Sequence, residues 1–288
     1  MSENFIPRLQ ELAKSVRMLA LVGASIKLRS DASVAQDIRE QIDAGARMAL
    51  GEVGDAADED QVSLALTMVE MALSEAGELF RNPDRGSNWE IVDVAAMQAM
   101  GRASKSVFTR ILSIAEAHPK MRKTFQGTFL DVGTGVAGIA LEAARTCPDI
   151  KVDGIDIWEP ALELARQNVV ESFYSDRVNI RNLDVSMLEE CKRYSLAWLP
   201  TMFLKRPIVE AALDRIARAS VSDAYLFAGV YSRPKDPFLA LMANLRTLRS
   251  GGEISDPADI KAMMEARGYV DVEMSSTPVA TFVFGRLP

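Results

Sequence analysis

The chain has 288 residues, 48% of them hydrophobic and 25% charged, with a formal net charge of −7 and two cysteines. That length suits one large domain or two smaller ones, and the composition is that of an ordinary globular protein whose core needs no staples. Cys147 and Cys191 form neither a zinc spacing nor a disulfide framework, so no metal is expected, and the acidic balance speaks against a nucleic-acid partner because phosphate binding wants a basic face.

The opening, "MSENFIPRLQELAKSVRMLALVGASIKLRS", has an acid near its front and no cleavage site after its apolar run, so it does not read as a signal peptide. No apolar run reaches the roughly 18 residues that a membrane span needs, and no membrane partner is expected. A cytoplasmic location follows as the expectation. Helix-period spacing fills residues 1–120, with helices predicted over 5–28, 32–50, 59–80, 91–105 and 107–117. "RNPDRGSNW", Arg81 to Trp89, reads as a loop. Met68, Met71, Ala72 and Leu79 fall on or near one helix face, as core, as a subunit interface or as a substrate lid.

From residue 121 the texture changes. Strands are predicted over 127–132, 151–156, 177–182, 194–199, 223–230, 269–275 and 279–286. Helices are predicted over 136–147, 159–171, 207–219, 237–249 and 257–267. Short apolar strands alternating with amphipathic helices mean a parallel sheet covered on both faces. The last two strands are joined by a short Thr-Pro turn, which permits only an antiparallel pair. The expected fold is therefore α/β: a doubly wound seven-stranded sheet, antiparallel at its end, in residues 121–288, after an all-helical domain in 1–120. Ligands of such sheets bind beyond the carboxyl ends of the strands.

The first strand runs into glycines: "TFLDVGTGVAGIALEAA" puts Gly133, Gly135 and Gly138 at GxGxxG spacing. Such a turn commonly cradles a pyrophosphate, yet this strand ends in Asp131. A carboxylate there repels phosphate and suits a cationic ligand. S-adenosylmethionine, with an ammonium, a sulfonium and no phosphate, meets that demand, and the glycines let backbone approach it closely. "KVDGIDIWEP" ends the second strand at Asp156, placed to accept ribose hydroxyls, and "NIRNLDVSML" ends the third at Asp184, placed to accept from an adenine amino group between Leu183 and Val185.

In these motifs residues 127–288 resemble the class I S-adenosylmethionine-dependent methyltransferases. "FLDVGTGVAG" is similar to their first motif, "GIDIWEP" to their ribose acid and "NLDVSML" to their adenine acid. "YSLAWLPTMFL" resembles the fourth strand and the loop after it, and "LRSGGEISDPADIKAMMEARGYVDVEM" the late helix, glycine turn and sixth strand. The helical part more loosely resembles the cap and dimerisation domains of bacterial small-molecule methyltransferases, which implies a homodimer through that part. The cofactor set so implied is Asp131, Gly133, Thr134, Gly135, Asp156, Ile157, Leu183, Asp184, Val185 and Leu199.

For the acceptor, the fourth strand exits through "AWLPTMFL" and lacks the Asn/Asp-Pro-Pro-Tyr of enzymes that methylate planar amide or amino groups. Trp198, Leu199, Pro200, Met202 and Phe203 read as an apolar wall for a small hydrophobic or aromatic acceptor, with Met100 of "DVAAMQAMGRASKSV" closing over it. Trp198 and Phe203 also read as packing of the sheet, and the Met97–Met100 stretch as core. His118, the one histidine, lies before the glycine turn and reads as a helix-end residue, so no catalytic base is assigned. Tyr231, Lys235 and Asp236 are the polar candidates after the fifth strand. Methylation of a macromolecule, a catalytically silent cofactor-binding protein and a nicotinamide oxidoreductase are the rival readings; Asp131 disfavours the last.

Overall fold

Residues 4–29, 33–51, 59–87 and 93–288 are described by a computed structural model, without the side chains of 59, 60, 63, 64 and 67. The chain divides into two compact units, Met1–Asp84 and Arg85–Pro288. The division expected at 120/121 is thus displaced: the helix before the first strand packs with the sheet.

The first unit holds α1 (Phe5–Leu28), α2 (Gln36–Leu50) and α3 (Glu59–Arg81). Val22, Ala46 and Val69 form its small core. Small residues set the spacing: a Cβ on Gly45 would lie 2.6 Å from Leu21 Cδ1, and one on Gly23 2.8 Å from Val69 Cγ1. Ser25 donates to Asp43 across α1 and α2 at 2.6 Å. Met68 and Met71 point outward, 62% and 40% exposed, so the methionine face is not core of this unit.

The second unit opens with α4 (Val94–Glu116), one helix where two were expected. Asp93 caps it by accepting from the amides of Ala95 and Ala96. Ser106, the apparent break, is absorbed by donating its hydroxyl to the Ala103 carbonyl. Residues 88–92, including Trp89 and the expected helix start at 91, lie outside the described residues.

A 3-10 segment, Pro119–Gln126, leads into the sheet. Its strands are β1 (Thr128–Val132), β2 (Lys151–Asp156), β3 (Val178–Asn182), β4 (Tyr194–Pro200), β5 (Ser220–Tyr231), β6 (Val270–Ser276) and β7 (Ala280–Arg286), in the order β3-β2-β1-β4-β5-β7-β6. The helices between them are α5 (Gly138–Thr146), α6 (Glu159–Glu171), α7 (Arg206–Ala219), α8 (Pro237–Arg249) and α9 (Pro257–Glu265). Residues of α4, α5 and α6 pack in one core and those of α7 and α9 in another. β1 to β5 are parallel, and β7 is antiparallel to both its neighbours.

β7 therefore sits inside the sheet, not at its end as expected. The hairpin fixes the antiparallel pairing but not which strand lies inward. Burial decides that: all five interior residues of β7 are buried, whereas in β6 only Val272 is. Phe284 stacks on Phe227 of β5 at 5.1 Å between ring centroids. Register then puts Gly154, Asp131, Trp198, Phe227 and Phe284 side by side across β2, β1, β4, β5 and β7.

Candidate functional site

The carboxyl edges of β1, β2 and β4 meet at the glycine turn. Gly133 has φ +67° and Gly135 φ +55°, backbone that favours glycine. The amides of Gly133 and Thr134 both donate to the Ile155 carbonyl, at 2.8 and 3.0 Å. The turn is thus stitched to the end of β2, and those two donors do not face a ligand. Ala137, also left-handed at φ +67°, starts α5.

Asp131 is fully buried. Its Oδ2 accepts from the Thr134 hydroxyl at 2.7 Å, and its Oδ1 has no hydrogen-bond partner. Gly154, beside it on β2, leaves the room: a Cβ there would lie 2.7 Å from Thr134 Oγ1. Burial pushes the Asp131 carboxyl up to about 7; the Thr134 hydrogen bond opposes this, Asp156 adds to it, and the Ala140 amide opposes it. The expected direct exposure of this acid to a ligand is therefore corrected: Thr134 lies against it, and the side chain has no accessible surface.

Asp156 is half-buried and already engaged. Its Oδ2 accepts from the Gly135 amide at 2.9 Å, and its Oδ1 from the amides of Ile157 and Trp158 at 2.7 and 3.0 Å. A carboxylate offers about four acceptor positions. Asp156 thus retains one acceptor direction on Oδ2, fewer than a pair of ribose hydroxyls taken together would use. The Asp156 carbonyl accepts from the Leu183 amide at 3.0 Å, which draws β3's exit to the same place. Asp184 is half-buried and caps the turn Val185–Met187 by accepting from the Ser186 amide at 2.8 Å.

The apolar cofactor residues separate. Ile157 is 68% exposed, and Leu183 is partly buried. Val185 and Leu199, at 5% and 0% exposed, pack in the α7-side core. A central strand covered on both faces buries every residue, and alternation along it cannot mark a ligand wall.

The acceptor wall is corrected in the same way. Trp198 is 3% exposed, packs on Phe282 at 5.5 Å and lies over Gly229, whose hydrogen leaves it room. It is core. Pro200 does reach the glycine turn, its Cγ 3.2 Å from where a Gly133 Cβ would lie. Met202 and Thr201 line a cleft with Val230, Asn244, Glu253 and Ile254. Phe203 is half-buried and meets Tyr231 edge-on at 6.1 Å. Met100 is 40% exposed on α4, one turn from buried Met97, which packs with Val136 of the glycine turn and with Ala161.

Three contacts had no clear signal in the sequence. Asn168 of α6 donates to the Val136 carbonyl at 2.9 Å and exchanges hydrogen bonds with Gln98 of α4. Trp158, half-buried beside Met97 and Ala161, has an indole N–H without a partner. Asn244 stands in the cleft on α8. Polar residues in amphipathic helices look like surface until the partner helix is known. His118, by contrast, lies away from the turn: its ring meets Phe284 at 5.3 Å, on β7, three strands from Asp131.

The bare Asp131 oxygen behind Thr134, the left-handed glycines and the spare Asp156 acceptor fit S-adenosylmethionine, whose hydroxyls are donors and whose amino-acid end carries an ammonium. Residues 129–222 match the family described as Methyltransferase domain. The tRNA1(Val) (adenine(37)-N6)-methyltransferase of Vibrio campbellii is 36% identical over 69 residues, 24% of this chain and 29% of that protein. The ubiquinone/menaquinone biosynthesis C-methyltransferase UbiE of Geotalea daltonii is 40% identical over 63 residues, 22% of this chain and 27% of that protein. The chain thus matches under a third of the length of these curated relatives. Human N-acetylserotonin methyltransferase, solved in complex with SAM, superposes with a TM-score of 0.63 at 15% identity, covering 100% of this chain and 99% of that one. An O-methyltransferase family protein from Burkholderia thailandensis gives 0.65 at 14% identity, covering 98% of each chain. At such identities the likeness is one of fold.

Proposed function

We propose that this chain, whose residues 129–222 are a methyltransferase domain and whose fold is that of the class I S-adenosylmethionine-dependent methyltransferases, methylates a small, largely apolar or aromatic acceptor. The observation that carries the reading is the exit of β4. Pro200 abuts the glycine turn, Met202 and Phe203 follow, and no planar-amide-binding Asn-Pro-Pro-Tyr stands there. The likeness to N-acetylserotonin methyltransferase runs the full length of both chains, helical part included, whereas the tRNA methyltransferase match is short. A short match of that kind speaks for the shared cofactor more than for the acceptor.

When bound, the cofactor supplies an electrophilic methyl group on a sulfonium, itself a good leaving group. What remains for the protein is to hold the acceptor in line and exclude water. Asp156 and the glycine turn fix the nucleoside end, and Pro200 and Met202 flank the acceptor side. His118 takes no part.

The reading extends to assembly and location. Phe5, Leu9, Leu12 and Val16 make a stripe along α1, each at least 50% exposed, which supports a homodimer through the helical region. We place the enzyme in the cytoplasm, acting on a free small molecule; among the described residues no helix is long and apolar enough to cross a membrane.

The test is product detection. Purified protein with S-adenosylmethionine is offered a panel of phenols, indoles and amines, and in parallel bulk tRNA and denatured protein, with methylated product read by mass spectrometry. Methylation within the small-molecule panel is expected. Methylation of tRNA or protein alone would replace this reading with a macromolecular one.

A further inference from the structure

We propose that Asp131 is a positioning residue that gives up a proton when the ammonium of the cofactor's amino-acid end docks, so that cofactor capture tightens as pH rises toward neutrality. The inference rests on the cofactor assignment above and goes beyond it.

The geometry is that of an acid held in an unfavourable place. Asp131 is fully buried, one oxygen takes a single hydrogen bond from Thr134, and the other has none. A buried carboxylate with a bare oxygen is costly when charged. Few groups near it ease the charge. β2 presents Gly154 alongside and Asp156 at its end, the latter of like sign. β4 presents Trp198, which is neutral. From α5 the Ala140 amide favours the charged form without closing a hydrogen bond, and Glu142 is taken up by Arg145. The acid therefore stays protonated up to about pH 7.

Thr134 transmits its state. While Asp131 is charged, the Thr134 hydroxyl must donate inward, and its lone pairs remain for a donor on the ligand side. Once Asp131 is protonated and donates to Thr134, one of those lone pairs is taken and the hydroxyl hydrogen turns outward, where it opposes a donor. An ammonium is all donor and brings positive charge, so it favours the first arrangement twice over. Binding then releases a proton wherever free Asp131 is neutral and bound Asp131 is not. In that window affinity rises with pH, up to about tenfold per unit, and levels off above neutrality.

The experiment uses the full chain and S-adenosylhomocysteine, which has the ammonium and undergoes no transfer. Its affinity is measured by calorimetry from pH 5.5 to 7.5, where the ammonium of a free α-amino acid, beside its own carboxylate, stays protonated. Adenosine, which has no ammonium, is the control, and Asp131→Asn the variant. Binding of S-adenosylhomocysteine should tighten about fivefold or more across the range, while adenosine and the variant change less than about twofold. Repeating the wild-type titration in phosphate and in Tris at pH 7 counts protons directly and does not depend on the variant folding; about half a proton should be released. S-adenosylhomocysteine binding that is flat in pH with no proton released overturns the proposal and leaves the cofactor assignment standing. No S-adenosylhomocysteine binding at any pH overturns both.

Discussion

Gly101 and Gly138 let two helices touch backbone to backbone: a Cβ on Gly138 would overlap the carbonyl oxygen of Gly101, and a Cβ on Gly101 would overlap Val136 Cγ2. The third glycine of the GxGxxG turn thus serves the crossing of α4 over α5, not the ligand. Gly138→Ala and Gly101→Ala should each lower stability by about 1–3 kcal/mol through overpacking, outweighing the gain of up to about 1 kcal/mol that alanine brings to an ordinary helix. Urea denaturation measures the difference; a stabilised Gly138→Ala would mean that α4 does not sit there.

Asp156→Ala should weaken S-adenosylhomocysteine by about 10- to 100-fold, since charge-assisted hydrogen bonds are worth about 1.5–3 kcal/mol each. Part of that loss comes from loosening Gly135, Ile157 and Trp158, whose amides Asp156 accepts. Asp156→Asn keeps one carbonyl acceptor and should recover part of the affinity. Calorimetry on both variants, beside their thermal midpoints, separates ligand contact from turn repair.

Without cofactor, Asp131 should make stability depend on pH. Its folded value of about 7 lies above the ordinary 3.8. Between those values the unfolded chain has lost the proton that the folded chain keeps, so stability falls as pH rises through that window and is level above it. Asp131→Asn lacks this loss. Relative to wild type it should gain on the order of 2–4 kcal/mol at pH 8 and nothing near pH 4. Denaturation at both pH values reads the gap, and a gap that is equal at the two would mean the acid is ionised throughout.

His118→Ala should leave kcat within about threefold of wild type, far from the 10²-fold or greater loss of a general base. The ring meets Phe284 and lies 3.9 Å from Glu273, a site of packing on β7 and β6. The check is kcat with whichever acceptor the panel yields.

Leu9→Glu with Leu12→Glu should turn the proposed dimer into a monomer, because two carboxylates in a buried seam remain unpaired. Light scattering after size exclusion gives the mass, and an unchanged dimer would move the interface elsewhere.

The sequence was most legible where periodicity and turn chemistry agreed. All seven strands stand within about three residues of their expected limits, and the Thr-Pro hairpin told β6 and β7 to run antiparallel. It was least legible where one composition serves two places. "AWLPTMFL" is apolar because β4 is covered on both faces, so Trp198 and Leu199 looked like a ligand wall and are core. Asp131 was recognisable as an anomaly beside the glycines, but its burial depends on Gly154 and Thr134, which only the β1–β2 register brings together. α4 was misassigned to the helical domain because a helix's partner is not written in its own period.

The tie from Asn168 to Val136 and Gln98 has a consequence for recombination. A chimaera that grafts a new helical front onto this cofactor scaffold would naturally be cut just before β1, where strand texture begins. Such a crossover removes Gln98 and Gly101 and leaves Phe108 and Ile111 to be supplied by a foreign helix that did not coevolve with α5. The seam that keeps the scaffold intact lies ahead of Asp93, so that α4 is inherited with the sheet.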